Sequence, residues 1–233
     1  MTIRAIVTDI EGTTSSIAFV HDVLFPYARE RLGSFIETHE QDEEVRQILD
    51  AVREESGETD AGNDRIVAIL EEWIDADRKS TALKELQGRI WRHGYRSGDF
   101  TGHIYEDAAR RLRDWSASGI ALFVYSSGSV DAQRLLFGYS DAGDLTPVFS
   151  GYFDTRIGHK KEAASYRHIA EHIGADAENT LFLSDVVAEL DAAADTGMQT
   201  TQLVRDDGIT TGEHPIARSF DEVIIDRPPR VRN

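Results

Sequence analysis

From residue 105 onward, short apolar runs alternate with helical patterns, and this alternation constrains the fold of the 233-residue chain most strongly. The apolar runs at residues 120–125 and 181–183 have the length of strands. A strand is also predicted at residues 200–204, and amphipathic patterns separate these segments. A further buried strand is predicted at residues 3–7. Strands that alternate with helices are typical of a parallel sheet. We therefore predict an α/β fold with a doubly wound parallel sheet core.

Residues 17–97 differ from the rest, because helical stripes follow one another there without a convincing strand. Glycines at residues 57–62 and 94–98 predict breaks in the helical pattern. This block separates the strand at residues 3–7 from its expected partners, so it is most simply an insertion that folds outside the sheet. We predict an α/β catalytic core of residues 1–16 and 98–233. An all-helical cap at residues 17–97 would be inserted after the first strand and would cover the carboxyl edge of the sheet.

Composition narrows the classes of function. The net charge of −17 argues against a nucleic-acid partner, because phosphate backbones are bound by clustered Lys and Arg. It also argues against binding to an anionic membrane surface. The chain contains no cysteine, which excludes disulfides and thiolate sites. No signal peptide or membrane-spanning run is recognisable, so we expect a cytoplasmic protein, and we expect it to be a monomer.

Two carboxylates stand where the first predicted strand ends, in the sequence Asp9-Ile10-Glu11-Gly12-Thr13-Thr14. Ligand sites of open α/β sheets lie at the carboxyl ends of strands. An aspartate in such a place can attack phosphorus and form an aspartyl phosphate. The acid pair also offers the oxygen ligands that Mg²⁺ prefers. Taken alone, however, a hexapeptide of this kind is more often a solvated loop.

Three later clusters also place polar or charged residues at the end of a predicted strand or the start of a helix. They are Ser126-Ser127-Gly128-Ser129, residues 156–161, which open an amphipathic helix pattern, and Ser184-Asp185. Together they favour a functional site over a solvated loop. Ser127 ends its strand as a phosphate-binding hydroxyl should, whereas Ser126 is also explained as a turn or helix-capping serine. Asp185 is suited to bind a hard cation, and Glu189, one helical turn later, is a candidate to support it.

The order of these clusters resembles the haloacid dehalogenase superfamily of phosphotransferases. The acid pair with Glu as its second member, combined with the Ser-Ser-Gly-Ser loop, resembles more specifically the enolase-phosphatases of methionine salvage. The stretches that share this resemblance also include residues 79–88, 135–138, 157–160 and 181–185. The resemblance therefore spans almost the whole chain.

The resemblance implies a role for each acid. Asp9 would be the nucleophile, and Glu11 would be the general acid and base. Asp9, Glu11 and Asp185 would form the Mg²⁺ site, with Glu11 contributing either its side chain or its main-chain carbonyl.

The resemblance also implies how a phosphorylated substrate is held. Ser126, Ser127 and Lys160 would bind the phosphoryl group. Lys160 is the lysine of the pattern Ile-Gly-His-Lys, and the resemblance implies that it is also a catalytic residue. On the predicted cap, Lys84 and Gln87 share a helix face and are the preferred candidates for substrate contacts. They belong to a basic stretch of the predicted cap, for which a solvated helix face is the alternative explanation; its basic residues are Arg78, Lys79, Lys84, Arg89, Arg92 and Arg96.

The implied substrate is a small phosphorylated diketone, 2,3-diketo-5-methylthiopentyl-1-phosphate, which is enolised and dephosphorylated to an acireductone. The nearest alternative is a phosphatase of the same superfamily for another small phosphorylated metabolite. A phospho-accepting signalling domain also places Asp, a hydroxyl and Lys at strand ends. It is disfavoured because the acids here are split around Ile10 and because the helical insertion has no role in such a domain.

Overall fold

The computed structural model describes residues 2–76 and 78–225, which form two compact units. One unit combines the residues up to Ile17 with those from Gly102 onward, and the other is Ala18–Thr101. Residues 1 and 226–233 of the predicted core lie outside the described residues, as does residue 77 of the predicted cap. Within the described ranges, no helix is both long and apolar enough to cross a membrane.

The described part of the second unit consists of helices and the turns between them. The helices are α1 (Ile17–Phe19), whose first residue belongs to the first unit, a π-helical turn (Val20–Leu24), α2 (Phe25–His39), α3 (Glu43–Ser56), α4 (Asn63–Asp75) and α5 (Thr81–Ser97). The Asp42 carboxylate caps α3 by accepting from the Glu44 N–H at 3.0 Å, and the Ser80 hydroxyl caps α5 by accepting from the Leu83 N–H at 3.1 Å. The apolar stripes of these helices pack together in one buried core.

The first unit contains a six-stranded sheet in which every strand pair is parallel. The strands are β1 (Ala5–Thr8), β2 (Ala121–Tyr125), β3 (Gly151–Phe153), β4 (Thr180–Ser184), β5 (Gln199–Leu203) and β6 (Ile216–Ala217). Their spatial order is β3-β2-β1-β4-β5-β6, so the direction of strand order reverses between β1 and β4. A reversal of this kind leaves a crevice at the carboxyl ends of the strands, where ligands bind.

Helices flank the sheet, and burial explains why β1, β2 and β4 read as nearly continuous apolar runs. Strand β5 is equally buried, although four of its five residues are polar. The flanking helices are α6 (Glu106–Ala117), α7 (Val130–Gly138), α8 (Ala163–Ile173) and α9 (Val187–Ala194). Val7 in β1 and Phe182 in β4 pack into one cluster with Tyr166 and Ile169 of α8 and Leu190 of α9. This packing fixes the strand ends relative to the loops that follow them.

The predicted fold class is confirmed, because the sheet is parallel and helices flank it. Strand β6, the π-helical turn and three short 3₁₀ helices have no counterpart in the sequence prediction; these helices are Thr146–Val148, Ala177–Asn179 and Phe220–Glu222. Helix α5 also continues through Gly94, which the sequence pattern assigns to a break at residues 94–98. Helix α8 begins at Ala163 rather than within residues 156–161, so Lys160 lies on the loop that precedes it.

Candidate active site

The predicted polar clusters meet at the carboxyl edge of the sheet. The register of the central strands places Thr8 opposite both Val124 and Leu183. Asp9 follows Thr8 directly, Ser184 is the last residue of β4, and the Ser-Ser-Gly-Ser loop follows β2. Because parallel strands end at the same edge, residues that are far apart in the sequence become neighbours.

The Lys160 ammonium lies between two buried carboxylates. Its Nζ is 2.7 Å from Oδ1 of Asp9 and 2.7 Å from Oε2 of Glu189. The Ser184 hydroxyl lies 3.1 Å from Oε2 of Glu189 and 3.4 Å from Oδ2 of Asp9. The main-chain N–H of Ile10 donates to Oδ1 of Asp9 at 2.7 Å and holds that carboxylate at the end of its strand. These contacts form one charged network around the predicted nucleophile.

The network contains more negative than positive charge. Burial alone would lower the pKa of Lys160, but the charges of Asp9 and Glu189 outweigh burial and raise that pKa above its usual value. Burial, reinforced by the charge of Asp9, raises the pKa of Glu189 to about 7. The same two causes raise the pKa of Asp185 to about 6. One cation thus faces three carboxylates, and a second cation beside Asp185 would stabilise the ionised acids.

The donors at this position fit a hard divalent cation such as Mg²⁺. Oδ1 of Asp185 is buried and has no hydrogen-bond partner among the residues that the structure describes, which is unusual for a carboxylate oxygen unless an ion completes its contacts. Over residues 2–76 and 78–225, no three His, Cys, Asp or Glu side chains converge into a metal-binding group. The carboxylates of Asp9 and Asp185 are therefore the candidate ligands for such an ion, and the contribution of Glu11 stays a prediction.

A tight turn brings the loop after β1 against Asp185. Gly12 has a φ of 70°, and a Cβ atom added there would lie 2.4 Å from Oδ2 of Asp185. The Thr14 hydroxyl donates to the carbonyl oxygen of Asp9 at 3.2 Å, and the Thr14 N–H donates to that of Ile10 at 2.9 Å. The glycine is required both for the backbone conformation and for the close approach.

The serine loop after β2 places its two candidate residues differently. Ser126 is buried, and its hydroxyl accepts from the Gly128 N–H at 3.2 Å, as a turn serine does. Ser127 is exposed to solvent at the same strand end. The Gln133 amide of α7 donates to the carbonyl oxygens of Gly128 at 2.7 Å and Phe153 at 2.9 Å, which fixes the loop against β3.

Comparisons with known proteins show the family to which the chain belongs. A family model described as haloacid dehalogenase-like hydrolase matches residues 3–197. The chain is 58% identical over 221 residues to the enolase-phosphatase E1 of Pectobacterium atrosepticum, covering 95% of this chain and 96% of that protein. The enolase-phosphatase E1 of Pseudomonas aeruginosa is 56% identical over 226 residues, or 97% of this chain and 100% of the relative. The chain belongs to the haloacid dehalogenase-like hydrolases, among the enolase-phosphatases.

A solved structure shares the fold of this enolase-phosphatase. The crystal structure of the UTR4 protein from Saccharomyces cerevisiae matches with a TM-score of 0.80 and 35% sequence identity. The match covers 95% of this chain and 100% of the yeast chain. The predicted resemblance, hydrolase class and phosphatase activity are therefore confirmed at the level of the family.

Sequence reasoning misses two contributions to the active site of this enolase-phosphatase. It names Glu189 only as a support for Asp185, whereas Glu189 pairs directly with Lys160; its spacing of one helical turn from Asp185 is the available signal. It also misses Arg205, whose guanidinium donates to the Thr13 carbonyl oxygen from Nη2 at 3.0 Å and from Nε at 3.2 Å. The same side chain pairs with Asp107 at 2.9 Å, and no local pattern in the sequence predicts this.

The two predicted cap residues belong to the helical unit and differ in exposure. Lys84 is exposed on α5, whereas Gln87, one turn later, is buried. Their shared helix spacing agrees with the pattern in the sequence. Their contact with a substrate stays a prediction.

Replacing Gly12 should disrupt the active site more than it disrupts folding. In Gly12→Ala, the new methyl group meets the Asp185 carboxylate while the backbone is strained, so we expect phosphatase activity to fall about 100-fold. Gly143→Ala is a matched control, because Gly143 has a φ of 82° but no atom within 4 Å of the added Cβ. Steady-state phosphate release and thermal unfolding of both variants measure the difference. Equal activity in the two variants would contradict this account of the turn.

Proposed function

We propose that this enolase-phosphatase converts 2,3-diketo-5-methylthiopentyl-1-phosphate to the 1,2-dihydroxy-3-keto-5-methylthiopentene acireductone and phosphate, in methionine salvage. The observation that carries the proposal is the buried Asp9–Lys160–Glu189 network at the carboxyl edge of the sheet, with Asp9 and Lys160 2.7 Å apart. The names of the relatives, enolase-phosphatase E1, support the choice of substrate class. We place the reaction in the cytoplasm, in a monomer without nucleic-acid or membrane partners.

In the phosphatase half of the proposed reaction, Asp9 attacks phosphorus and Glu11 protonates the departing substrate oxygen. The bond between phosphorus and that oxygen breaks, and an aspartyl phosphate forms. Glu11 then removes a proton from water, which attacks phosphorus and releases inorganic phosphate while Asp9 regains its carboxylate. Lys160 and the hydroxyl of Ser127 hold the phosphoryl oxygens, and Ser126 shapes the loop that carries Ser127.

The proposed cofactor is Mg²⁺, held by the carboxylates of Asp9 and Asp185 and by the main-chain oxygen of Glu11. When bound, the ion supplies charge neutralisation at the phosphoryl group and polarises a substrate oxygen for enolisation. Phosphoryl transfer depends mainly on positioning and charge stabilisation, so the protein groups around Asp9 have to be fixed before the substrate arrives. The buried network described above meets this requirement.

Asp9→Asn should leave the fold intact and abolish phosphate release. The amide is nearly isosteric and keeps an acceptor for the Ile10 N–H, but it is no nucleophile. We expect a loss of about 1,000-fold or more, which corresponds to several kcal/mol of barrier. Asp195→Asn, on an exposed helix end, is the control and should be fully active. Phosphate release by a well-folded Asp9→Asn protein at near-normal rates would rule out the covalent mechanism.

Removal of divalent cations should stop turnover of the diketone phosphate, and Mg²⁺ should restore it. The physical reason is that Asp185 and Asp9 repel each other and the substrate phosphate unless a cation lies between them. The reaction is followed by identifying the acireductone and phosphate before and after treatment with a chelator. Full activity after chelation would refute the metal assignment, and equal turnover of unrelated phosphate esters would indicate a general phosphatase.

Comparing turnover of a large and a small phosphate ester tests the proposed contact between the cap residues and the substrate. If Lys84 and Gln87 contact the diketone phosphate, Lys84→Ala should lower kcat/KM for that substrate about 10-fold, as expected for one lost charged hydrogen bond. A minimal ester such as p-nitrophenyl phosphate should be turned over normally, because it lacks the groups that would reach Lys84. Lys161→Ala removes another exposed lysine and serves as the control. Equal losses on both substrates would place Lys84 at the phosphate, and no loss on either would leave it a solvated residue.

A further inference from the structure

Three side-chain hydroxyls donate to three consecutive main-chain carbonyls in the loop that carries Lys160. Tyr125 Oη donates to the Gly158 carbonyl oxygen at 2.9 Å, and Ser165 Oγ donates to that of His159 at 2.8 Å. Tyr166 Oη donates to the carbonyl oxygen of Lys160 itself at 2.6 Å. We call Tyr125, Ser165 and Tyr166 the hydroxyl clamp. The mechanism described above uses none of them.

The hydroxyl clamp is anchored in rigid parts of the core. Tyr125 is the last residue of β2, and Ser165 and Tyr166 lie in the first turn of α8. All three residues are at most 1% exposed. The two tyrosine rings pack edge to face with their centroids 5.6 Å apart, and Tyr166 packs in the same way against Phe182 at 5.0 Å. The donors therefore cannot follow the loop if it moves, and they hold it in one conformation.

The loop fits the hydroxyl clamp closely. Gly158 has a φ of 141°, and a Cβ atom added there would lie 2.2 Å from Oγ of Ser165. Burial raises the pKa of both Tyr125 and Tyr166, so their hydroxyls stay protonated and can donate. A loop without regular secondary structure is thus given the hydrogen bonds that a helix or strand would otherwise provide.

We propose that Tyr125, Ser165 and Tyr166 are positioning residues that fix the backbone of Lys160 so that its ammonium reaches the phosphoryl group beside Asp9. A lysine has a flexible four-carbon side chain, so its ammonium is placed accurately only when its main chain is fixed and its path is confined. The inference rests on the proposed role of Lys160 in binding the phosphoryl group. It adds that this role depends on hydroxyls that do not touch the substrate.

The first test removes single hydroxyls and keeps the rings. Tyr166→Phe and Tyr125→Phe should each lower kcat/KM for the diketone phosphate about 10-fold, and the loss in the double variant should approach 100-fold. The reason is that displacing a catalytic group by about 1 Å lowers the rate by up to about 100-fold. Tyr152→Phe is the matched control, since the Tyr152 hydroxyl is buried but has no hydrogen-bond partner among the described residues. A fully active double variant, or a loss as large in Tyr152→Phe, would overturn the proposal.

The second test asks whether the effect passes through Lys160. Binding of inorganic phosphate in the presence of Mg²⁺ is measured by calorimetry for the wild type, Tyr166→Phe, Lys160→Ala and the double variant. We expect each single variant to bind more weakly, and we expect the double variant to bind no more weakly than Lys160→Ala. Such non-additivity is the signature of two residues acting through one interaction. A general loss of structure would weaken phosphate binding by the same factor in both backgrounds, and that result would overturn the proposal.

The outcomes also separate this inference from the proposed function. If Lys160→Ala binds phosphate and turns over substrate as the wild type does, the proposed role of Lys160 fails and the hydroxyl clamp has no function in catalysis. If Lys160→Ala is impaired but Tyr166→Phe and Tyr125→Phe are not, the proposed role of Lys160 stands and only the hydroxyl clamp is refuted. Ser165→Ala, which leaves both aromatic rings in place, gives an independent repeat should a tyrosine variant fold poorly.

Discussion

The interaction on which the site depends is the pairing of one buried ammonium with two buried carboxylates, those of Asp9 and Glu189. Burying charges costs free energy, and the cost is recovered only when geometry and further hydrogen bonds are good. Ser184 and the Ile10 N–H supply such hydrogen bonds. With a third carboxylate close by at Asp185, the network still holds excess negative charge, and this makes it receptive to a divalent cation.

The same network explains how a protein with a net charge of −17 can accept an anionic substrate. The overall field repels a phosphate ester, so attraction has to be local and short-ranged. Lys160 and a bound cation would provide it at the carboxyl edge, where low exposure weakens screening by water. The acidic composition and a phosphate site completed by a bound cation are therefore compatible, because they act over different distances.

Much of the surrounding structure serves to hold loops that have no regular hydrogen bonding. Arg205 binds the carbonyl of Thr13, Gln133 binds that of Gly128, and the hydroxyl clamp binds those of residues 158–160. Gln133 and the hydroxyl clamp lie on helices or strands of the core, whereas Arg205 lies two residues after β5 and pairs with Asp107. Each strand positions only the first residue of the loop that follows it. The side-chain contacts to the loop carbonyls therefore help to fix the positions of the reactive groups farther along each loop.

The sequence by itself determined the parallel sheet and the positions of Asp9, Ser184 and Asp185. The reason is that an apolar run followed by polar residues indicates, within a few residues, both a buried strand and the place where that strand ends. It did not separate Lys160 from Lys161 except by resemblance, since adjacent lysines look alike until a fold directs one of them inward. Only the tertiary structure decided that Glu189 pairs with Lys160, that Arg205 reaches a carbonyl 192 residues away, and that three hydroxyls hold one loop. The physical reason is that these contacts join segments distant in the chain, and their geometry exists only after the sheet and its helices have packed.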